Sequence, residues 1–471
     1  MVSVPIYQRP KQEKRGRGES NEKWLASLFV LFVRREEVRL EGRETRGGAR
    51  AKGMKGEKER TREMRRLAVG VVFALVMGAR GFGLEGGGQA ATAEKVFPDQ
   101  LMVTADKILV LEEPAFYPAV DAHTHLEASE EAFALAVKSM DAAGVAVSVN
   151  LGGGSGERLD KALELAAKYP GRFATFCGVR MSAEDWKAAD IGERIAKSIQ
   201  ESHDKGATGF GEIVKWALHK RINWDDPRLE PMWAKLEELN MPINWHVSAP
   251  SRQWRPASPY NTIEGRGYRE GYPLKQELLF QQERVLEKHP KLFVIAAHSN
   301  YLTDAVPYLV YRFEKYPNYY VDLSAVCEEW GRVPEEFADV CKKYADRILF
   351  GTDAVYEADK VKLYGSEEAV VANFKAFEVA HFLFLGTKQR MIPVPFNGNY
   401  GKTLIGWENG YTRYVHDGVA LPSEVLKKIY YENAERLLGV KAAGWKPAEG
   451  FNYEVKVPAK REAGGEAPGG R

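Results

Sequence analysis

From residue 115 onward the chain alternates short apolar runs with longer amphipathic stretches. Each run is rich in β-branched and aromatic residues, and the stretch that follows has apolar positions three and four residues apart, which is typical of helices. Prolines before several of the runs end the preceding helices. The predicted strands are Tyr117–Ala122, Val145–Leu151, Phe173–Val179, Gly209–Val214, Ile243–Val247, Phe293–Ala297, Tyr320–Ser324 and Ile348–Gly351.

Eight strands that alternate with helices predict an α/β fold with parallel pairing. An open doubly wound sheet and a closed (β/α)₈ TIM barrel both fit this order. Ionisable side chains follow the strands, and the barrel brings the carboxyl ends of all its strands to one face. We therefore predict the barrel over residues 94–440. The side chains at strand ends are His123, His125, Glu212, Lys215, His246, His298 and Asp353.

Two insertions are predicted, after strands 5 and 8. The first, Ser248–Gly271, contains Arg252 and Arg269 among aromatic residues. Arginine pairs with carboxylates through two hydrogen bonds, so this loop is a candidate substrate-binding segment; a surface loop or oligomer contact is the alternative. The second insertion, up to about Leu421, is rich in aromatic residues and is expected to form a lid, a side wall or a homodimer contact. Residues 441–471 are expected to form a flexible tail.

The first 93 residues have a different character. Residues 1–63 are rich in Arg, Lys, Glu and Gly, and we expect a disordered basic extension or a non-native segment upstream of a true start at Met64. Residues 64–93 have the layout of a signal peptide, with an apolar core at Leu67–Met77. This predicts export to the periplasm or the medium; a cytoplasmic enzyme is the alternative. The apolar core is too short to anchor the mature protein in a membrane.

Charge and cysteine content narrow the function further. Residues 1–66 carry 19 Lys and Arg against 10 Asp and Glu, whereas the remainder has 48 basic and 55 acidic residues. The mildly acidic remainder gives no reason to expect nucleic acid as a partner, so a small-molecule substrate is expected. The three cysteines, Cys177, Cys327 and Cys341, do not indicate a disulfide framework.

The strongest chemical signal is His123-Thr124-His125 at the end of the first strand. Alternate residues of a strand share a face, so both imidazoles point to the same side. Together with His246 and Asp353 they form a set of nitrogen and oxygen ligands suited to one divalent metal. Zinc is the expected ion, with manganese or another first-row metal as alternatives.

These motifs resemble the amidohydrolase superfamily, and more narrowly its amidohydrolase-related branch, which includes aminocarboxymuconate semialdehyde decarboxylase, resorcylate-type decarboxylases, and lactonase or hydratase relatives. The resemblance covers residues 117–440. It implies a mononuclear site in which His298 acts as acid or base from outside the ligand set, a role that Asp353 shares in hydrolytic members. The motifs are Asp121–His125, Trp245-His246, Ala297-His298, Phe350–Asp353 and Glu432–Leu438.

Two residues near the fourth strand have open roles. Lys215 is expected to contact an anionic substrate; binuclear members of the superfamily place a carbamylated lysine at the end of this strand, and a surface lysine is a third interpretation. Glu212 is expected to orient a ligand histidine from outside the ligand set or to cap the following loop.

Three functions are compatible with the sequence. The first is hydrolysis of a small carboxylated, amide, ester or lactone substrate by a metal-bound water. The second is non-oxidative, metal-dependent decarboxylation of a carboxylated aromatic or muconate-like substrate, a lyase reaction. The third, a non-catalytic metal-binding barrel, is disfavoured by the complete ligand set. Release of carbon dioxide would distinguish the second function from the first.

Overall fold

A computed structural model describes residues 110–214, 220–250, 273–393 and 415–455. All of them lie in one compact unit, Phe97–Arg471. The predicted basic extension (1–63) and signal peptide (64–93) lie outside the described residues, so both stay predictions. The same holds for Lys215, Arg252 and Arg269, which also fall outside these ranges.

Parallel strands and intervening helices follow one another as the sequence pattern predicts. The strands are β1 Ala119–Leu126, β2 Val145–Asn150, β3 Phe173–Cys177, β4 Gly209–Val214, β5 Ile243–His246, β6 Val294–Ala296, β7 Tyr319–Asp322, β8 Ile348–Leu349 and β9 Ala354–Tyr356. The helices are α1 Glu130–Ala143, α2 Glu157–Ala167, α3 Ile191–Asp204, α4 Glu230–Glu238, α5 Lys275–Lys288, α6 Val306–Lys315, α7 Cys327–Trp330, α8 Pro334–Lys343, α9 Lys360–Tyr364, α10 Glu367–Gly386, α11 Ser423–Lys427 and α12 Asn433–Leu438.

The sheet closes through the stretch that contains β8 and β9. The strand order is β8-β7-β6-β5-β4-β3-β2-β1-β9, with β7 paired to β8 and β1 paired to β9, all in parallel. In the segment between β8 and β9, the carbonyl of Phe350 accepts a hydrogen bond of 2.9 Å from the backbone N–H of Ala122 in β1. One stretch of chain therefore contacts both ends of the sheet, and the predicted barrel is confirmed.

Two predicted strand boundaries are corrected. The first strand extends to Leu126, so His123 and His125 lie within it rather than after it. The eighth strand, predicted over Ile348–Gly351, is split into β8 and β9 because Asp353 adopts a left-handed backbone conformation, with φ of 66°. This break turns Asp353 out of the strand pairing.

Local sequence signals explain where the helices begin and end. Before α1, the Ser129 side chain accepts a hydrogen bond from the Ala132 N–H, and Glu130 and Glu131 occupy the positive first turn. The helix ends at Gly144, whose φ of 85° is accessible to a residue without a side chain. Capping and helix polarity therefore agree with the amphipathic pattern.

The barrel interior is apolar away from its carboxyl end. One buried cluster takes a residue from each of several strands, including Val120, Val149, Phe176, Ile295 and Leu349. Side chains from opposite sides of a closed sheet meet in this way when they fill the barrel. Cys177, Cys327 and Cys341 are all buried.

The described part of the second insertion packs on the barrel. Helix α10 lies against α1, and most of it is buried, including Phe374 and Phe382. It is long and apolar enough to span a membrane, but 67% of its apolar window is buried in the protein, as in the core helix of a soluble domain. It therefore forms a side wall of the barrel.

The start of the predicted flexible tail is corrected. Ala442, Tyr453 and Val455 are buried, and the Phe451 ring packs edge-on against Phe116. Large aromatic side chains along this segment bury apolar surface, although the segment is also rich in Gly and Pro. Residues 456–471 lie outside the described residues.

Candidate metal centre

The strand ends bring the predicted site residues together. His123 and His125 project from β1, Glu212 lies in β4, and His246 is the last residue of β5. His298 lies two residues after the end of β6, and Asp353 lies between β8 and β9. These positions are at the carboxyl face of the barrel, where parallel strands converge.

Glu212 lies at the centre of this group, which the sequence did not indicate. Its Oε2 atom is 3.5 Å from Nε2 of His125 and 3.9 Å from Nε2 of His123. Its Oε1 atom accepts a short hydrogen bond from Nδ1 of His246 and lies 3.2 Å from Nε2 of His298. Glu212 was expected to act from outside the ligand set, but it faces four imidazoles directly.

The backbone before Glu212 requires glycine. Gly211 has φ of 123°, and a Cβ atom there would lie 2.3 Å from the Asn244 carbonyl oxygen on the neighbouring strand. Strand β4 can therefore approach β5 closely at this point. The close approach brings Glu212 next to His246.

Asp353 completes the side of the site formed by β1. Its Oδ1 atom is 3.2 Å from Nε2 of His125 and 3.7 Å from Nε2 of His123. Its backbone N–H donates to the His123 carbonyl at 2.8 Å, and this bond fixes the left-handed turn in register with β1. A Cβ atom on neighbouring Gly351 would lie 3.2 Å from the His123 Cβ, so a small residue lets this segment pass behind the histidine.

The separations fit a shared metal ion. Two ligand atoms bound tetrahedrally at about 2.1 Å from zinc are roughly 3.4 Å apart. The four distances from the His123 and His125 Nε2 atoms to Glu212 and Asp353 range from 3.2 to 3.9 Å. Among the described residues, the buried Nε2 of His123 has no hydrogen-bond partner. The donor set therefore suits a divalent cation.

Asp322, at the end of β7, holds His123 from behind. Its Oδ2 atom accepts from Nδ1 of His123 at 2.9 Å and from the Asn244 amide at 2.9 Å. Its Oδ1 atom accepts from the His298 backbone N–H and from the Ser324 hydroxyl. With Nδ1–H directed at Asp322, the neutral ring of His123 carries its lone pair on Nε2, which faces the site. The sequence analysis missed Asp322, although it is the polar residue that ends an apolar strand.

The carboxyl groups of the site are held ionised by the imidazoles around them. Burial raises the pKa of Asp322, but the charge and hydrogen bond of His123 outweigh it and lower the pKa to about 2. For Glu212, burial is outweighed by His246 and by the other imidazoles, which hold the pKa well below its usual range. Burial alone would lower the pKa of His123, but Asp322, Glu212 and Asp353 raise it to about 10. In the absence of a cation, protons on the imidazoles balance these carboxylates.

His298 is presented by an uncommon backbone turn. Residues 298–301 all have φ between 49° and 55°, the left-handed region that L-residues rarely occupy in succession. Buried polar contacts hold the turn: the Asn300 amide donates to Gln282 and to the Tyr319 hydroxyl, both at 2.8 Å. The turn places Nδ1 of His298 at 2.8 Å from the Ser324 carbonyl oxygen and directs Nε2 toward Glu212.

Two buried carboxyl groups, one in the first strand and one on α10, lie close together. Asp121 accepts hydrogen bonds from the Thr352 N–H and hydroxyl and from the His123 N–H. The carboxyl group of Glu378, on α10, is buried close to Asp121. Burial, followed by the charge of Asp121, raises the pKa of Glu378 well above its usual range, so Glu378 is the protonated partner.

A pocket opens beside His125. Its volume is about 480 Å³, and its wall includes Glu127, Arg158, Glu357 and Asp359. The His125 side chain is 26% exposed, whereas that of His123 is fully buried. The pocket therefore gives access to the site from the side of His125.

Comparison with known proteins identifies the family. The sequence model of the amidohydrolase family matches residues 120–440, which is more than half of the chain. No curated protein sequence matches. The family resemblance inferred from the motifs is thereby confirmed.

Several solved structures are similar to this chain. An uncharacterised TIM-barrel protein of Bordetella bronchiseptica is 17% identical, covers 69% of this chain and 99% of its own, and has a TM-score of 0.40. The 2,6-dihydroxybenzoate decarboxylase of Rhizobium is 18% identical, with coverages of 69% and 99% and a TM-score of 0.37. The 5-carboxyvanillate decarboxylase of Novosphingobium aromaticivorans, solved with manganese, is 16% identical, with coverages of 64% and 79% and a TM-score of 0.37.

The match to the family model, together with the closed parallel barrel and the histidines and carboxylates at its carboxyl face, shows that this chain belongs to the amidohydrolase family.

Proposed function

We propose that the protein is a metal-dependent hydrolase of a small carboxylated, amide, ester or lactone substrate. The observation that carries the proposal is the group formed by His123, His125, Glu212 and Asp353, in which the imidazole Nε2 atoms lie 3.2 to 3.9 Å from the carboxylate oxygens beside an open pocket. His246 belongs to the same cluster through Glu212 and His298. A divalent ion bound there lowers the pKa of a coordinated water and polarises a substrate carbonyl oxygen.

Asp353 is the residue best placed to accept a proton from the attacking water. Burial raises its pKa, but the hydrogen bond from His125 and the nearby imidazoles lower it, so the carboxylate is ionised at neutral pH. Its side chain is 15% exposed, whereas that of His298 is 2% exposed. Both ring nitrogens of His298 are engaged, with Ser324 and with Glu212 and His246. We therefore assign the base to Asp353 rather than to His298.

The pocket wall suggests how a substrate is held. Arg158 is the single arginine or lysine among the described residues of this wall, and its Nε donates to the Gly152 carbonyl at 3.0 Å. This bond fixes the plane of the guanidinium group, and its two terminal nitrogens can donate hydrogen bonds to a substrate carboxylate. Glu127, Glu357 and Asp359 on the same wall disfavour a substrate with several negative charges.

Non-oxidative decarboxylation is the second candidate. Arg252 and Arg269 are the sequence features that favour it, because they could bind a substrate carboxylate next to the metal. A lyase would release carbon dioxide without consuming water. The two reactions are therefore separated by their products.

The test uses the full chain loaded with zinc or manganese and a panel of amides, esters, lactones and carboxylated aromatics. We expect hydrolysis products without carbon dioxide, and a loss of at least about 100-fold in kcat for Asp353→Asn, as is usual when a general base is removed. Asp339→Asn is the control, because this carboxylate is 82% exposed on α8. Carbon dioxide release would favour the second candidate, and turnover that survives Asp353→Asn would refute the assigned base.

A further inference from the structure

The wall of the pocket beside His125 carries more acidic than basic side chains. We propose that this pocket selects substrates with a protonated amino group, held by Glu127 and Asp359, in addition to the carboxylate that Arg158 binds. The substrate is then a small zwitterion of the amino-acid class whose amide, ester or lactone bond lies at the metal centre. This inference rests on the metal-dependent function proposed above and names the substrate class of the same site.

Backbone pairing brings the acidic residues of the wall together. Strand β9 pairs with β1, and the ladder continues past the end of β1, where the Glu127 N–H donates to the Tyr356 carbonyl at 2.9 Å. Oε2 of Glu127 in turn accepts a hydrogen bond from the Ala358 N–H at 2.9 Å. This bond holds the Glu127 side chain against the segment that contains Glu357 and Asp359. The three carboxylates are therefore neighbours because β1 and β9 are paired.

Two of these carboxylates have no cation that balances them. Glu357 lies 3.5 Å from the ammonium group of Lys360. Within the described ranges, Glu127 and Asp359 form no ion pair. A concave surface with an excess of one charge attracts ligands of the opposite charge and raises their local concentration. A positively charged group on the substrate would remove this excess.

An ammonium group suits these carboxylates better than a metal ion does. Among the described residues, groups of three potential ligand atoms within 4.8 Å of one another occur at the metal centre and include none of the carboxylates of the pocket wall. An ammonium group has three donors and needs only one or two acceptor oxygens. Its alkyl chain also lets it reach carboxylates that are spread along a wall.

Strand order separates the positive from the negative side of the pocket. Strand β1, which carries His125, lies between β2 and β9 in the sheet. Arg158 lies on the β2 side, at the start of α2, whereas Glu357 and Asp359 follow β9. A substrate with its carboxylate at Arg158 and its amino group near Asp359 therefore passes over His125. A zwitterion with its charges at opposite ends has this arrangement.

The loop on the positive side is held close to β1. Oδ1 of the buried Asn150 accepts hydrogen bonds from the Leu126 N–H at 3.1 Å and from the Gly152 N–H at 2.7 Å. A Cβ atom on Gly152 would lie 2.7 Å from the Leu126 carbonyl oxygen, so glycine lets the loop approach β1 this closely. Because Arg158 hydrogen-bonds the Gly152 carbonyl, this loop sets the distance between its guanidinium group and His125.

The middle of the pocket reaches the metal centre. Nε2 of His125 lies 3.2 Å from Oδ1 of Asp353, and the His125 side chain is 26% exposed. The buried Nε2 of His123 lies 3.7 Å from the same oxygen and has no hydrogen-bond partner among the described residues. A bond held over His125 is therefore next to the candidate metal ligands. The pocket volume of about 480 Å³ is in the range of small-molecule sites.

Binding of matched ligand pairs tests the charge selectivity without turnover. The full chain, loaded with zinc, is titrated in a calorimeter with ω-amino acids from 3-aminopropanoate to 6-aminohexanoate. Each is compared with the fatty acid in which a methyl group replaces the ammonium group. We expect at least one amino acid to bind about 10-fold or more tightly than its partner, because the ammonium group gains charge-assisted hydrogen bonds. Added salt should reduce this preference.

A double variant assigns the preference to the wall. Glu127→Gln combined with Asp359→Asn is expected to reduce it to less than about 2-fold, because both negative charges are lost. Gln keeps an acceptor for the Ala358 N–H, and Asp359 makes no capping bond to its helix. The control, Glu131→Gln with Asp339→Asn, removes the same charge at two exposed positions outside the wall and should keep the preference.

The outcomes separate this inference from the proposed hydrolysis. Equal affinities within every pair, or no binding of either member, would overturn the charge selectivity. A preference that survives the wall variant, or that the control variant also loses, would overturn it as well. If the amino acids are preferred but no amide, ester or lactone is hydrolysed, the proposed reaction is wrong and the charge selectivity stands.

Discussion

At the scale of single residues, the geometry of the site depends on Asp322, which hydrogen-bonds His123 and His298. Asp322 is fully buried and fixes the ring of His123, the backbone of His298 and the Ser324 hydroxyl. Partners of this kind choose which imidazole nitrogen carries the proton and raise the basicity of the ligand. The seventh strand therefore contributes to the site without supplying a ligand.

The first prediction concerns Asp322. Asp322→Asn is expected to weaken metal binding about 10- to 100-fold, because an uncharged amide no longer favours the required tautomer of His123. Competition with a fluorescent chelator measures the change. Asp204→Asn is the control, since this carboxylate is 64% exposed at the end of α3. Unchanged metal affinity in Asp322→Asn would show that the hydrogen bond to His123 has no part in binding.

At the scale of elements, the turn after β6 is held by a buried polar network. Asn300 bonds Gln282 and Tyr319, and Arg312, which is itself fully buried, bonds Gln282 and the Leu279 carbonyl. Four left-handed residues in succession are unfavourable and persist where surrounding contacts determine them. Helices α5 and α6 thus stabilise the conformation that presents His298.

The second prediction tests this network. Asn300→Ala removes two buried hydrogen bonds and leaves their partners unsatisfied, which we expect to lower the free energy of unfolding by about 2–3 kcal/mol. Urea denaturation measures the loss. The control is Asn318→Ala, which removes one hydrogen bond to the Pro290 carbonyl near the surface. We expect it to lower the free energy of unfolding by less than about 1 kcal/mol. Equal losses in both variants would contradict a special role for the turn.

Helix α10 supplies the third prediction, through Glu378. The folded-state pKa of this buried carboxyl is raised, so its contribution to stability is present below the unfolded pKa near 4.5 and is lost as the pH rises. Glu378→Gln mimics the protonated form. It is expected to raise the melting temperature at pH 8 by about 3 °C or more, which corresponds to roughly 1 kcal/mol, and to have little effect near pH 4.

The control for Glu378→Gln is Glu201→Gln, at an exposed carboxylate on α3. Differential scanning fluorimetry at pH 4, 6 and 8 follows both variants. A destabilising effect of Glu378→Gln at pH 8 would mean that this carboxyl is ionised and needed as an anion. The expected result would instead assign Glu378 as a neutral carboxyl group packed near Asp121 of the first strand.

At the scale of the whole molecule, ring closure makes the site. His123 and Asp353 are 230 positions apart in the sequence, yet their carboxylate and imidazole atoms are 3.7 Å apart because β9 pairs with β1. When no cation is present, the imidazoles must carry protons to balance the carboxylates gathered by this closure, and a metal ion that replaces those protons favours the folded protein. Metal binding and folding stability are therefore coupled.

The fourth prediction follows from this coupling. Zinc at about 100 times its dissociation constant should stabilise the fold by about 2.7 kcal/mol, and the melting temperature should fall by roughly 5 °C or more when a chelator removes the ion. His123→Ala combined with Asp353→Ala should abolish the response. A melting temperature that is the same with metal and with chelator in the natural sequence would contradict a folded-state metal site.

The sequence alone determined the barrel and most of the candidate ligands. Apolar runs at a regular spacing specify strands, and the position of a polar residue after such a run specifies the barrel face on which it lies. His123, His125, His246, His298 and Asp353 could be placed in this way. These inferences succeed because they depend on local periodicity and on a fold-wide rule, which need no knowledge of side-chain contacts.

Tertiary structure alone decided how those residues are grouped. The central place of Glu212 depends on Gly211 and on the distance between β4 and β5, and the contribution of Asp322 depends on a hydrogen bond across 199 positions. Likewise, the packing of Tyr453 and Val455 could not be inferred from a segment rich in Gly and Pro. The physical reason is that distances between side chains from different strands are set by strand register and backbone turns, which local sequence patterns do not encode.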